Sequence, residues 1–146
     1  MEEFFSVDPL LNGSKGLVII DGKLLVYRRD SNARHYPSYL DLPGGGKENG
    51  ETPFDTFKRE VKEEFGLNIL KENITYVKKY PSAVVEGEYA YFPVVSLPDA
   101  SESDIEFGDE GIGYLLMNAS DFLNANDVWP GLQLKAKEYF DSLEKF

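Results

Sequence analysis

The sequence predicts an α/β layered domain, and three observations point to this fold class. Two short apolar runs within 16–27 are separated by Asp21-Gly22, a dipeptide that favours a tight β-hairpin turn. An amphipathic helical pattern covers 53–65, and a second one begins near Pro130. Segments rich in β-branched and aromatic residues lie between the two helices. Strands mixed with helices in this order indicate a sheet that is covered by helices.

The first helix has clear start and stop signals. Thr52 is a suitable N-cap, Pro53 fits the first helical position, and Gly66 is placed to end the helix. At about 100° per residue, the apolar side chains of this helix fall in one stripe, which predicts its buried face. The stripe consists of Phe54, Phe57, Val61 and Phe65.

Three further strands are predicted after this helix. The segments 74–80 and 88–97 are rich in β-branched and aromatic residues, and 113–117 is a short apolar run. Because proline lacks an N–H, Pro93 predicts that its strand lies at a sheet edge or contains a bulge there. The final helix then carries apolar residues at helical spacing from 132 onward.

The composition restricts the function classes. At 146 residues the chain has the length of one domain, which is expected to span 1–146. It has no cysteine and a single histidine, which excludes a disulfide framework, a thiolate metal site and a histidine-rich zinc site. The net charge of −11 argues against nucleic-acid binding, because such proteins normally present a basic face. No apolar run has the length of a membrane span, so a cytoplasmic location is expected.

Three carboxylates share one edge of the first helix. Glu60 and Glu64 lie one turn apart with Glu63 beside them, whereas Lys58 and Lys62 lie on the opposite flank. A solvated acidic face is the simpler interpretation of such a cluster. However, like charges one turn apart repel and destabilise a helix. Hard oxygen ligands at this spacing are what Mg²⁺ or Mn²⁺ requires, so a metal site is the alternative hypothesis.

The spacing of these residues matches a known signature. From Gly45 the chain carries five residues, Glu51, seven residues and then Arg-Glu-Val-Lys-Glu-Glu-Phe-Gly-Leu. This resembles the box of the Nudix hydrolase family, G-x5-E-x7-R-E-U-x-E-E-x-G-U with U aliphatic, at every fixed position. The resemblance implies an α/β/α sandwich with a mixed β-sheet. It also implies that water attacks a phosphorus atom of a diphosphate linkage in a nucleoside diphosphate derivative, with Mg²⁺ or Mn²⁺ as the cofactor.

The same resemblance implies a role for each matching residue. Glu60 and Glu64 resemble the principal metal ligands, Glu63 completes the set, and the backbone carbonyl of Gly44 resembles a further ligand. Some relatives use the glutamate that Glu60 matches as the general base, whereas others take the base from a loop outside the box. The remaining expected box residues are Arg59, which pairs with Glu51 and holds the glutamates, and the structural glycines Gly45 and Gly66.

Residues outside the box resemble the MutT-type branch of the family, which cleaves nucleoside triphosphates. Glu110 occupies the place of a downstream metal ligand, although several other acids lie in the same loop. Arg29 matches an arginine that contacts the substrate, and Asn118 matches an asparagine that recognises a purine base. Each of these two also has a simpler interpretation, as a surface arginine and as a turn residue.

The chain departs from that branch at two positions. Gly46 is an extra glycine, and Leu42 stands where an aromatic residue would stack on the base. Tyr36 and Tyr39, in the loop before the glycines, are alternative stacking residues, although such aromatics more often seal the edge of a core. The sequence therefore leaves the choice of substrate open.

Two enzyme hypotheses and one non-enzyme hypothesis remain. The first is a diphosphatase that converts a nucleoside triphosphate, including an oxidised purine one, to the monophosphate and pyrophosphate. The second is an ADP-ribose or nucleotide-sugar diphosphatase. The third is a catalytically silent nucleotide-binding module, which is disfavoured because such relatives generally lose a box glutamate. The expected partner is a small nucleotide and not a membrane, and the chain is expected to be a monomer or a homodimer.

Overall fold

The structure is a computed structural model that describes residues 1–109 and 111–144. Within these residues the chain forms eight strands and three α-helices. In chain order they are β1 Leu11–Lys15, β2 Leu17–Ile20, β3 Lys23–Arg28, β4 Leu40–Asp41, β5 Gly44–Gly46, α1 Pro53–Phe65, β6 Ile74–Pro81, β7 Tyr89–Ser96, β8 Gly113–Met117, α2 Ala119–Asn124 and α3 Leu132–Leu143. Short 3₁₀ turns cover Glu2–Phe5, Lys71–Asn73 and Glu102–Asp104.

The strands form one mixed sheet. β1 and β2 follow each other along one side of β7 and run parallel to it, while β6 pairs antiparallel with its other side. Beyond β1 lies β5, and beyond β2 lies β3, both antiparallel. β3 also pairs with β4 and with β8. The path from β4 to β5 therefore carries the chain from the β3 half of the sheet to the β1 half.

Helices cover both faces of this sheet. Successive residues of β3 show the division, because strand side chains alternate between faces. Leu25 and Tyr27 belong to the core under α1, whereas Leu24 and Val26 belong to the core under α2 and α3. This confirms the expected α/β/α sandwich with a mixed sheet.

The predicted hairpin and first helix are confirmed. Asp21 and Gly22 have φ values of 53° and 73°, the paired positive values that a tight hairpin turn requires. Thr52 and Asp55 form a reciprocal capping box at the start of α1. Gly66 ends the helix in the left-handed conformation with φ of 67°. The four residues of the predicted apolar stripe are all buried.

Of the two settings predicted for the strand of Pro93, a sheet edge or a bulge, the sheet edge is wrong, whereas the pairing with β6 does shift register beside this residue, opposite Val94 and Val95. β7 is an interior strand with neighbours on both sides. Its parallel partner changes from β1 to β2 at this point, because Tyr91 pairs with Ser14 and Val94 pairs with Leu17. A residue without an N–H is tolerated where one ladder stops and the next begins.

Other elements do not follow from the sequence pattern. β1 and β4 lie in segments without a clear alternating pattern, and the glycines 44–46 form a short strand rather than a loop. Asn118 begins α2, a helix that its sequence segment does not predict. The final helix is confirmed and begins at Leu132. In the described part of the chain, no helix combines the length and the apolar character needed to cross a membrane.

Candidate active site

Two of the three predicted carboxylates on α1 point inward to β5. Glu64 is only 3% exposed, and its Oε1 accepts a hydrogen bond from the backbone N–H of Gly44 at 3.0 Å. The carboxylate of Glu60, with 14% of its side chain exposed, packs against Gly45. The side chain of Glu63 is 54% exposed and lies toward solvent. The helix and the glycine strand are therefore in direct contact through these two carboxylates.

The first two glycines of β5 are each required by a close approach, Gly44 to β1 and Gly45 to α1. A Cβ atom on Gly44 would lie 2.2 Å from the carbonyl oxygen of Ser14, and its φ of +130° disfavours any other residue. A Cβ atom on Gly45 would lie 2.7 Å from the carboxyl carbon of Glu60. At Gly46 the nearest atom would be 3.9 Å away, so the third glycine has no such steric reason.

Arg59 joins the carboxylates of the box. Its Nε donates to Glu51 Oε2 at 2.7 Å, and its Nη1 donates to Glu60 Oε1 at 2.9 Å and to Glu63 Oε2 at 3.3 Å. Its Nη2 donates to the carbonyl oxygen of Gly46 at 2.9 Å. The hydrogen bond from Arg59 holds the pKa of Glu51 below the ordinary value of a glutamate. The expected contact between Arg59 and Glu51 is therefore present.

The chemistry of these donors fits a hard divalent cation. Glu60 and Glu64 lie one helical turn apart and contact a strand of glycines, so backbone oxygens and carboxylate oxygens, the ligands of a hard cation, occur together here. Within residues 1–109 and 111–144, however, no three acidic or histidine side chains already surround one point. Arg59 contacts Glu60 and Glu63, and Glu64 contacts Gly44. The predicted downstream ligand Glu110 lies outside the described residues.

A buried aspartate that the sequence pattern does not single out organises the opposite side of the site. Asp41 is fully buried and accepts hydrogen bonds from Lys15 Nζ at 2.8 and 2.9 Å and from Arg29 Nη1 at 3.0 Å. The hydroxyl of Tyr27 and the N–H of Leu42 complete its contacts, at 3.2 and 2.8 Å. An acid between two leucines just before Pro43 was the available signal, because a lone charge in an apolar strand needs partners.

Trp129 contacts two of the residues predicted to bind substrate, Arg29 and Tyr36. The guanidinium carbon of Arg29 lies 4.2 Å from the centre of its ring, and Lys15 Nζ lies 5.4 Å from it. The centre of the Tyr36 ring lies 5.2 Å from that of Trp129. On its other side, Tyr36 contacts Tyr39, with 5.3 Å between the ring centres. These aromatic and cationic groups form one continuous wall.

Asn118 does not join that wall. Its Oδ1 accepts a hydrogen bond from the N–H of Asp121 at 2.8 Å and caps α2. The strand before it pairs Met117 with Leu24, at the opposite end of β3 from Arg29. The structure therefore separates the two residues that were predicted to contact one substrate.

A cavity of about 220 Å³ lies between these groups and the glycine strand. It is bounded by β1, β5, the turn between β6 and β7, and the start of α3. Its lining includes Lys15, Gly45, Gly46, Trp129 and Lys135. A larger cavity of about 410 Å³ lies at the C-terminal end of α1. Each cavity contacts one predicted site residue, Gly66 in the larger and Gly45 in the smaller. The smaller one is the candidate substrate pocket, because two glycines of β5 line it together with Lys15, Trp129 and Lys135.

The family model for the NUDIX domain matches residues 12–132, which include β1, α1 and the start of α3. The chain belongs to the Nudix family. It is thus a Nudix hydrolase, a class of enzymes that act on nucleoside diphosphate derivatives.

Two similar proteins carry the names of different activities. One is the nucleoside triphosphatase NudI of Salmonella arizonae, 28% identical over 73% of this chain and 80% of its own length. The other is the ADP-ribose pyrophosphatase of Methanocaldococcus jannaschii, 30% identical over 65% of this chain but only 54% of its own length. The family is therefore shared, whereas the substrates of these relatives diverge.

Solved structures support the fold. The MutT protein from Methanosarcina mazei Go1 superposes with a TM-score of 0.70 at 23% identity, over 97% of this chain and 100% of that one. A bifunctional NMN adenylyltransferase/ADP ribose pyrophosphatase from Francisella tularensis, complexed with AMP and a Mn ion, gives 0.71 at 20% identity. That superposition covers 92% of this chain and 42% of the other. At these identities the likeness concerns the fold alone.

Proposed function

We propose that this chain hydrolyses a nucleoside triphosphate to the monophosphate and pyrophosphate, using Mg²⁺ or Mn²⁺. The observation that carries the proposal is the contact of Glu60 and Glu64 with the glycine strand β5. It supplies carboxylate oxygens beside a glycine strand that also borders a cavity lined by Lys15 and Lys135. A polyphosphate that brings its own negative charge and a divalent cation suits that arrangement.

In this proposal Glu60, Glu64 and the carbonyl of Gly44 hold the cation, and Glu63 completes the set. The cation, when bound, neutralises charge that develops on phosphorus and lowers the pKa of a water that attacks it. Glu64 is fixed by the N–H of Gly44, so its orientation does not depend on the substrate. Arg59 acts as a positioning residue, because it holds Glu60 from one side and Glu51 from the other.

A triphosphate substrate is favoured over ADP-ribose, because the alignment with this chain covers more of the nucleoside triphosphatase than of the ADP-ribose pyrophosphatase. The alignment with the nucleoside triphosphatase covers 80% of that relative, whereas the ADP-ribose pyrophosphatase is covered over 54%. Almost half of the second relative thus has no counterpart in the aligned part of this chain. ADP-ribose remains the second candidate, because that relative is slightly more similar, at 30% against 28% identity.

A product screen tests the proposal. The protein and its Glu64→Gln variant are incubated with a panel of nucleoside triphosphates, including oxidised purines, and with ADP-ribose and nucleotide sugars. The screen is run with Mg²⁺ and with Mn²⁺. Pyrophosphate release from a triphosphate, absent without metal and in the variant, is the expected result. Preferred cleavage of ADP-ribose or a nucleotide sugar to monophosphates would move the chain to the second candidate. No turnover of any compound would contradict both.

A further inference from the structure

The pocket wall opposite α1 is cationic in a strongly acidic protein. Lys15, Arg29 and Lys135 lie around Trp129 and the cavity, although the whole chain has a net charge of −11. Lys15 and Arg29 share one buried acid, Asp41. One carboxylate between two cations leaves a positive excess at this wall. Such an excess attracts an anion strongly where the pocket walls exclude water.

Lys135 is the least compensated of the three cations. It projects from the first turn of α3 into the cavity, and its Nζ lies 4.8 Å from the centre of the Tyr80 ring. In the part of the chain that the structure describes, Lys135 forms no ion pair within 4.0 Å. The acid one turn further on, Glu138, forms its ion pair with Lys78 and acts on Lys135 only from a greater distance.

Lys15 and Lys135 face the same space from two different elements. Both lysines line the cavity. Burial and the positive charge of Lys15 lower the pKa of Lys135, whereas the negative charge of Glu138 offsets part of this effect. Like charges in a partly buried space repel, and an anion between them would remove that repulsion. The same cavity is lined by Gly45 and Gly46, the strand against which Glu60 and Glu64 pack.

We propose that Lys15 and Lys135 bind the terminal phosphate of a nucleoside triphosphate, the one that lies outside the linkage being cleaved. The inference rests on the proposed function, because it assumes that the cleaved linkage lies at the carboxylates of α1. The two lysines would then make the protein bind a nucleoside triphosphate more tightly than the corresponding diphosphate. Asp41 is a positioning residue in this scheme, because it holds Lys15 Nζ through both carboxylate oxygens.

The test compares two nucleotide analogues that cannot be cleaved. An α,β-methylene nucleoside triphosphate and the matching α,β-methylene diphosphate are titrated into the full chain with Mg²⁺, and heats of binding are measured. Lys135→Gln is expected to weaken binding of the triphosphate about tenfold, because it loses one charge-assisted contact. Binding of the diphosphate is expected to stay unchanged.

Two variants control the charge and the helix. Lys137→Gln removes an exposed lysine from the same helix, where it pairs with Asp141, and is expected to bind both analogues like the unaltered protein. Lys135→Arg keeps the positive charge and is expected to retain most of the triphosphate affinity. Circular dichroism checks that each variant is folded.

Two results would overturn the phosphate subsite. One is equal triphosphate affinity in Lys135→Gln and the unaltered protein. The other is an equal loss for the triphosphate and the diphosphate. Either result leaves pyrophosphate release and its loss in Glu64→Gln untouched, so the subsite can fail while the proposed function stands. Conversely, intact analogue discrimination without any turnover would contradict the proposed function alone.

Discussion

The candidate site has two groups of charged residues, here called the carboxylate wall and the cationic wall, which are built in opposite ways. The carboxylates contact the glycine strand from α1 and do not themselves line the cavity. The carboxylate wall comes from one stretch of chain, 51–64, in which Arg59 gathers acids around a single guanidinium. The cationic wall is drawn from β1, the end of β3, β4 and the start of α3, and Asp41 gathers cations around a single carboxylate. The first wall is a property of a helix, whereas the second exists only once the sheet has formed.

This difference suggests a division of labour. The carboxylate wall provides donors for a cation and is expected to govern the rate of the chemical step. The cationic wall contacts the parts of a nucleotide that differ between substrates and is expected to govern affinity. Changes on the first wall should therefore lower kcat, and changes on the second should raise KM.

Glu64→Gln is expected to have the largest effect on turnover. The amide oxygen can still accept the hydrogen bond from the N–H of Gly44, so the fold should be retained. The negatively charged ligand for the cation, however, is lost. We expect kcat to fall on the order of 10³-fold. Steady-state kinetics with saturating Mg²⁺ measures this. Glu72→Gln, at an exposed position, is the matched control, and an equal loss in that control would contradict the assignment.

Two glycine substitutions test whether the packing of Glu60 against β5 matters for activity. Gly45→Ala would drive a methyl group into the carboxylate of Glu60, so we expect kcat to fall about 10²-fold. Gly46→Ala meets nothing closer than 3.9 Å and is expected to stay within a few-fold of the unaltered enzyme. Equal activities of the two variants would show that the packing of Glu60 on β5 does not matter.

Asp41→Asn tests the cationic wall through the free energy of unfolding. Removing the charge leaves Lys15 and Arg29 without their shared partner, although both are partly exposed and therefore partly solvated. We expect a loss of about 2 kcal/mol together with a raised KM. Urea unfolding and steady-state kinetics measure the two quantities. Asp99→Asn at an exposed site is the control, and a fall in kcat alone for Asp41→Asn would oppose the division of labour.

The smallest expected effect is a pH dependence of stability at Glu51. Its pKa is lowered in the folded state by Arg59, so its contribution is complete above the pKa of the unfolded chain and is lost as the pH falls. The difference in Tm between the unaltered protein and Glu51→Gln should therefore shrink from about pH 5 downward. A difference in Tm that stays constant across this range would contradict the pairing.

The contrast between the walls also explains what the sequence could predict. Capping signals and an apolar stripe are local, so α1 followed from them, and the resemblance to the Nudix box implied the contact between Arg59 and Glu51. The position of Pro93 in an interior strand did not, because the change of partner from β1 to β2 is a property of the sheet. The roles of Asp41 and Lys135 could not be predicted for the same reason, since their partners lie far away along the chain.

The measurement that tests the division of labour most directly is a comparison of Glu64→Gln with Lys135→Gln on the best triphosphate substrate. Both variants are assayed by pyrophosphate release over a range of substrate concentrations at saturating Mg²⁺. We expect Glu64→Gln to lose kcat, and Lys135→Gln to raise KM about tenfold with kcat nearly unchanged. A loss of kcat in Lys135→Gln as large as that in Glu64→Gln would contradict this division of labour.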